Sequence, residues 1–136
     1  MACAATGHWR WASHQLEHEL SGMFDVAHGA GLAALWPSWA RYVCAAAPSR
    51  FAALAKALFG IEAQDALTNT SAGIDAMEAF FQKIGMPTSI GELGITLSEE
   101  QIDELARKCS HDHSRTIGTI RTLNEEDMKA IYRMAR

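Results

Sequence analysis

The spacing of the apolar residues constrains the fold more than any other feature of this chain. Along nearly every long segment they recur every three or four positions, as Trp11, Leu16, Leu20 and Met23 do near the start. This spacing puts apolar side chains on one face of an α-helix. No segment alternates apolar and polar residues for long enough to indicate a β-strand. The pattern therefore predicts an all-α fold.

Proline, glycine and capping residues mark where the helices should begin and end. Ser98 and Asn124 each precede a Gln or Asp by three residues, which predicts N-terminal capping, and Gly60 predicts a left-handed helix stop. Pro37 should kink or restart the second helix, because it has no N–H to donate. Residues 68–71, a polar Thr-Asn-Thr-Ser run, are a plausible break in the fourth. The expected helices cover residues 9–23, 28–46, 50–59, 63–84, 98–109 and 124–135.

Composition and charge restrict the partners of the chain. Its 136 residues are 49% hydrophobic and 21% charged, which is enough apolar material to bury the core of one domain. Twelve Lys and Arg against sixteen Asp and Glu leave a net charge of −4 and no basic stripe, so nucleic acid is not an expected partner. No apolar run approaches the ~20 residues that span a bilayer. We therefore take residues 1–136 as a single helical domain without a membrane-spanning segment.

The start of the chain and its cysteines indicate a cellular compartment. The first residues lack the basic start and apolar block of a secretory signal, which favours the cytoplasm. Cys3, Cys44 and Cys109 are odd in number and widely spaced, with no Cys-x-x-Cys pair. We expect reduced thiols rather than a disulfide framework.

Three of the six histidines fall in one short stretch and are the main candidates for chemistry. His14 and His18 are four residues apart, so on a helix their imidazoles leave the same face about 6 Å from each other. His28 follows a turn near Asp25 and can fold back toward that face. Converging imidazoles suit a divalent first-row metal. The pair taken alone favours a simpler interpretation, a solvated helix face on which Glu17 is a charged neighbour.

Other conspicuous residues have ordinary structural explanations. Residues 111–113 (His-Asp-His) follow a predicted helix in a polar loop, where contact with solvent is favoured over a metal site. Trp9 and Trp11 are expected in the core or at a domain interface, and Trp36 in the core, because aromatic residues at helical spacing usually pack.

The complete histidine pattern resembles the signature of the iron-containing alcohol dehydrogenases. It combines His-x3-His with, after nine intervening residues, His-Gly-x-Gly-Leu-Ala and an apolar run into Pro37. Residues 11–34 are more similar to the butanol dehydrogenase branch of that family. The later layout, with residues 48–51 (Pro-Ser-Arg-Phe) and 85–87 (Gly-Met-Pro), is similar to the family's helical C-terminal domain. The resemblance spans essentially the whole chain.

The resemblance implies a role for each motif residue. His14 and His28 match the family's metal ligands from this domain, for Fe2+ or alternatively Zn2+. His18 matches the middle histidine, which lies beside cofactor and substrate, and this implies a catalytic proton carrier or supporting group that also contacts NAD(P). Phe24 is a candidate for the wall of the substrate pocket. The family's remaining ligands, an Asp and a His, belong to upstream sequence that this chain lacks.

The implied activity is the interconversion of a small alcohol and an aldehyde by hydride transfer. The metal lowers the pKa of the alcohol, and NAD(P), bound mainly by an N-terminal nucleotide-binding domain, accepts the hydride. The chain has no glycine-rich dinucleotide-binding turn, so we expect a fragment that is inactive alone. Its face toward the missing domain would be exposed, which favours homo-oligomers.

Two other functions stay open at this point. A stand-alone helical metal-binding module would use the three histidines with a further ligand, such as Glu17, Asp25 or the segment 111–113. A helical interaction domain would carry the histidines incidentally and have no catalysis. Metal titration separates these interpretations, since tight stoichiometric binding favours the module and weak or absent binding favours the enzyme fragment.

Overall fold

Residues 11–62 and 65–136 are described by the computed structural model of the chain, and they form helices joined by turns and loops. This part of the chain contains no β-strand, and its one extended pairing is an isolated bridge between Ile117 and Leu123. The all-α prediction is confirmed. The α-helices are α1 Ala12–Phe24, α2 His28–Val43, α3 Pro48–Phe59, α4 Ala66–Lys83, α5 Glu99–Cys109 and α6 Glu125–Ala135, and short 3-10 helices cover Cys44–Ala46 and Gly91–Leu93.

The predicted helix stops and caps are confirmed where the sequence signal was strongest. Gly60 ends α3 in the left-handed conformation, with a φ of 64°. Ser98 and Asn124 each accept a hydrogen bond from the backbone N–H three residues later, and the side chains of Gln101 and Asp127 accept in return. Both reciprocal capping boxes satisfy N–H groups that a helix start leaves unpaired.

Two helices differ from their predicted extents. Helix α2 continues through Pro37 as one helix and passes into the 3-10 turn only at its end. Helix α4 has no break at residues 68–71 and begins at a cap, where Asp65 accepts from the Thr68 N–H at 2.8 Å. Thr70 is buried there, and its hydroxyl donates to the Pro48 carbonyl at 2.9 Å. The polar run therefore packs against the start of α3 instead of ending the helix.

The core lies between α1, α2, α5 and α6. Helices α3 and α4 form a pair, and α4 packs against α2, which connects this pair to the core. The buried Tyr132 of α6 donates its hydroxyl to the Leu16 carbonyl of α1 at 2.7 Å. Burial raises the pKa of Tyr132 well above its usual value, so the hydroxyl stays a donor. Other fully buried side chains of this core are Leu20, Leu35, Ile102, Leu105, Met128 and Ile131.

The tryptophans divide between packing and exposure. Trp36 is partly buried, with its ring 6.0 Å from that of Phe81, and Trp39 packs on the core. Trp11 is 62% exposed, so the core alternative is wrong for it and the domain-interface alternative stays a prediction. Trp9 lies outside the described residues. Among the helices described, none is both long and apolar enough to cross a bilayer.

Candidate metal centre

A tight reversal between α1 and α2 sets the geometry of the histidines. Asp25 adopts the left-handed conformation, with a φ of 54°, and its N–H donates to the Ser21 carbonyl at 2.8 Å. Asp tolerates this conformation better than most residues. Helix α2 begins at His28, only a few residues after α1 ends, so its first turn lies beside the last turns of α1.

The reversal brings the three imidazoles together. The ring centres of His14 and His28 are 5.5 Å apart, and those of His18 and His28 are also 5.5 Å apart. His14 is half-buried, whereas His18 and His28 are exposed. The expectation that His28 folds back toward the face of the first pair is confirmed.

Glu17 lies underneath this cluster and not in solvent. Its side chain has no exposed surface, and its carboxylate pairs with Nδ1 of His28. The Ser21 hydroxyl donates to the other carboxylate oxygen. The solvated interpretation of Glu17 is therefore wrong. Gly31 is the sequence feature that could have indicated a close approach of the two helices here. In the structure, a Cβ at Gly31 would lie 2.6 Å from Oε1 of Glu17.

The donor atoms fit a divalent metal. Among the described residues, one group could place three ligand atoms around an ion, with donor atoms of Glu17, His18 and His28 all within 4.8 Å of one another. His14 is outside this group but contributes a neighbouring ring. Imidazole nitrogens with a carboxylate partner are typical of sites for zinc, iron and related ions. The cluster is open on its exposed side, where further ligands could approach.

A cavity of about 420 Å3 adjoins His14 and His18. Its remaining lining is polar and aromatic, and it comes from Trp11, Gln15, Glu19 and Arg115. Phe24 is not among the lining residues, since it lies at the end of α1, partly buried against the core. Its role in a substrate pocket stays a prediction.

The His-Asp-His segment forms a separate polar feature. All three residues, 111–113, are exposed and have left-handed backbone, with φ values of 49°, 52° and 68°. His113 pairs with Glu125. Burial tends to raise the pKa of Glu125, but hydrogen bonds from Ser110 and Lys129 lower it overall. The segment is engaged with the start of α6, and it is not part of the group that could hold a metal.

Comparison with known proteins places the chain in a family. The model of the "Fe-containing alcohol dehydrogenase family, C-terminal" matches residues 1–136. A probable NADH-dependent butanol dehydrogenase 1 of Bacillus subtilis is 34% identical over 125 residues, which cover 90% of this chain and 31% of the relative. NADH-dependent butanol dehydrogenase A of Clostridium acetobutylicum is 29% identical over 133 residues, covering 91% and 32%.

Solved structures agree with the sequence relatives. The NADH-dependent butanol dehydrogenase A of Thermotoga maritima superposes with a TM-score of 0.83 at 34% identity, over 93% of this chain and 33% of that one. The aldehyde reductase YqhD of E. coli gives a TM-score of 0.83 at 25% identity, over 93% and 33%. The chain thus spans about a third of the length of these proteins. It belongs to the iron-containing alcohol dehydrogenase family and corresponds to its C-terminal domain.

Proposed function

We propose that this chain supplies the metal-binding helices of an NAD(P)-linked dehydrogenase that interconverts small alcohols and aldehydes. The observation that carries the proposal is the convergence of His14, His18 and His28, with ring centres 5.5 Å apart across the α1–α2 turn. A chain of this family with scattered histidines would not support it. The names of the relatives, NADH-dependent butanol dehydrogenases, favour a nicotinamide cofactor and a short alcohol.

In this proposal His14 and His28 hold the ion, which is Fe2+ according to the family's name or Zn2+ according to the chemistry of imidazole ligands. A bound divalent ion supplies Lewis acidity, which polarises a carbonyl or hydroxyl oxygen. His14 is half-buried and lies in the first turn of α1, whereas His28 is the first residue of α2. Two rigid helices therefore fix the separation of the two ligands.

His18 has a different role in the proposal. It is exposed, and it faces a cavity that also contains Glu19 and Arg115. An imidazole at such a place can hold or move a proton near neutral pH. We propose that substrate and the nicotinamide bind on the side of His18 that faces the cavity, and that Phe24 forms a more distant part of the pocket wall.

The remaining parts of the catalytic centre would come from outside the matched third of the relatives. We propose that an N-terminal domain provides the other metal ligands and most of the NAD(P) site. The chain alone would then have no dehydrogenase activity. The exposed apolar residues suit contact with such a domain or with a second copy, and they include Trp11, Leu58, Leu67, Phe80 and Ile84.

Calorimetric titration of the 136-residue chain with Zn2+ tests the metal site. With half a coordination sphere, binding should be weak. His14→Ala or His28→Ala should weaken it at least as much as loss of a supporting partner does, about tenfold or more. His111→Ala is the matched control, because this histidine is exposed and lies outside the α1–α2 cluster. Equal loss in all three variants, or no loss in the first two, would contradict the proposal.

The stand-alone metal module is tested by the same titration. It is suggested by the 4.8 Å cluster of Glu17, His18 and His28. However, the Glu17 side chain has no exposed surface, and its carboxylate faces Nδ1 of His28 and the Ser21 hydroxyl, which favours a supporting role for the acid over that of the missing ligand. Tight, stoichiometric Zn2+ binding by the chain would favour the module over the enzyme fragment.

A further inference from the structure

We propose that Glu17 is a positioning residue, which holds the His28 imidazole with its proton on Nδ1 and leaves Nε2 as the nitrogen that binds metal. The inference rests on the proposed function, because it concerns a side chain that supports one of the proposed ligands. It goes beyond that function in assigning a role to a buried acid that no spacing argument had identified.

The hydrogen bond between Glu17 and His28 runs from the imidazole to the carboxylate. The Glu17 side chain has no exposed surface, and its carboxylate contacts Nδ1 of His28. An ionised carboxylate has acceptors and no proton to give. Opposite an ionised Glu17, Nδ1 is the donor, and in a neutral imidazole the other nitrogen, Nε2, then carries a lone pair. That is the protonation pattern a metal ligand needs.

Ser21 holds the Glu17 carboxylate in place. The Ser21 hydroxyl, one turn further along α1, donates to Oε1 of Glu17 and also lies 2.9 Å from the Val26 carbonyl. This serine thus ties the carboxylate to the turn that delivers His28. A buried carboxylate needs such partners, because its removal from water is costly when it is unpaired.

The Glu17 carboxylate also lies at the start of α2. This helix has no side-chain cap and no acidic residue in its own first turn. The Glu17 carboxylate lies against Gly31 in that turn, where a Cβ would be only 2.6 Å from Oε1. A negative charge near a helix N-terminus is favourable. The acid of α1 therefore supplies to α2 the charge that α2 lacks, and Gly31 makes room for it.

These contacts separate a supporting role from a ligand role. Donor atoms of Glu17, His18 and His28 lie within 4.8 Å of one another, so distance alone would allow Glu17 to bind the ion. Its carboxylate instead faces Nδ1 of His28 and the Ser21 hydroxyl, and the side chain is closed to solvent. Carboxylate partners of this kind orient metal-binding imidazoles in many sites.

The test measures the His28 proton directly in the metal-free chain. Long-range 1H–15N correlation spectra of 15N-histidine-labelled protein, recorded where the rings are neutral, report which ring nitrogen is protonated. We expect Nδ1–H for His28 in the wild type, and loss of this preference in Glu17→Ala. Glu17→Gln retains an acceptor and should be intermediate. Gly29→Ala is the matched control in the same turn of α2, since its Cβ would meet nothing closer than Met86 at 4.0 Å.

A second readout is Zn2+ affinity measured by calorimetry. Loss of a supporting carboxylate typically weakens metal binding about 10–100-fold, so we expect this loss in Glu17→Ala, a smaller one in Glu17→Gln and none in Gly29→Ala. The partial rescue by Gln distinguishes positioning from general loss of structure. If Glu17→Ala does not fold, Gly31→Ala replaces it, because it keeps the acid and displaces its carboxylate.

The outcomes separate this inference from the function on which it rests. An unchanged Nδ1–H signal of His28 in the folded Glu17 or Gly31 variants would overturn the positioning role, even with normal Zn2+ binding. Zn2+ binding by the wild type that His28→Ala leaves unchanged would contradict the metal site, whereas the proton position in the wild type would still decide the role of Glu17.

Discussion

Replacement of Gly31 by alanine is a sharp test of how α1 and α2 meet. An alanine Cβ would lie 2.6 Å from Oε1, 2.9 Å from Cγ and 3.1 Å from Cδ of Glu17. The first two of these distances are too short to persist. Because the Glu17 side chain is fully enclosed, it cannot swing into solvent without separating the helices or losing its bond to His28.

The expected magnitude follows from three contributions. Alanine in a helix interior is intrinsically better than glycine by about 0.5–1 kcal/mol. Overpacking of a filled interface costs about 1–3 kcal/mol, and loss of a hydrogen bond to a charged group costs about 1.5–3 kcal/mol. The two costs exceed the gain, so we expect Gly31→Ala to lower the free energy of unfolding by about 2 kcal/mol or more.

Urea unfolding followed by far-UV circular dichroism measures this difference. Gly29→Ala is the reference variant, because it adds the same methyl group to the same helix turn where only Met86 approaches, at 4.0 Å. It should match the wild type within about 1 kcal/mol. A Gly31→Ala protein as stable as Gly29→Ala would refute the close contact between Glu17 and the start of α2.

Three further predictions concern the rest of the fold. Gly73→Ala should lower the unfolding free energy in urea titrations by at least about 1–3 kcal/mol, because its Cβ would collide with Ala55, whose backbone Cα would be 3.2 Å away and cannot rotate aside. Tyr132→Phe should lower it by about 1 kcal/mol, the net value of a typical hydrogen bond, and an unchanged unfolding midpoint would contradict this. Burial, helped by the charge of Glu19, raises the pKa of Cys109 to about 12, so mass spectrometry should show native Cys109 alkylated far more slowly than the half-buried Cys44.

Much of the candidate site could be predicted because its information is local. The four-residue spacing of His14 and His18 fixes a common helix face wherever the helix lies in the fold. The turn at Asp25 is short, so the next helix has little choice but to return beside the first. These two facts place His28 near the pair before any long-range contact is known.

Glu17 could not be placed in the same way. Its neighbours in sequence include both exposed and buried residues, and a glutamate between two histidines on a helix usually faces solvent. Its burial depends on which side of α1 receives α2, and that is decided by packing against α5 and α6. Only Gly31 hinted at a close approach, and a glycine near a helix start has several explanations.

The uninterrupted α4 shows the same limit. Residues 68–71 have low helix propensity and suggested a break, since Thr, Asn and Ser compete with helical hydrogen bonds. In the structure Thr70 finds an acceptor in the Pro48 carbonyl, and Asn69 is buried. Tertiary contacts with the preceding helix α3 outweigh the local preference.

The Tyr132–Leu16 hydrogen bond has a consequence for how the chain acquires its site. The partners are 116 residues apart, whereas His14 and His28 are near neighbours in sequence. During synthesis, the imidazoles can meet once α1 and α2 have both emerged, but the Leu16 carbonyl of α1 gains its Tyr132 donor only after α6 has been made. Until α6 is made, the three histidines would lie on a helical hairpin whose packing is incomplete. They would be open to metal ions there before the domain can hold an ion in a defined geometry.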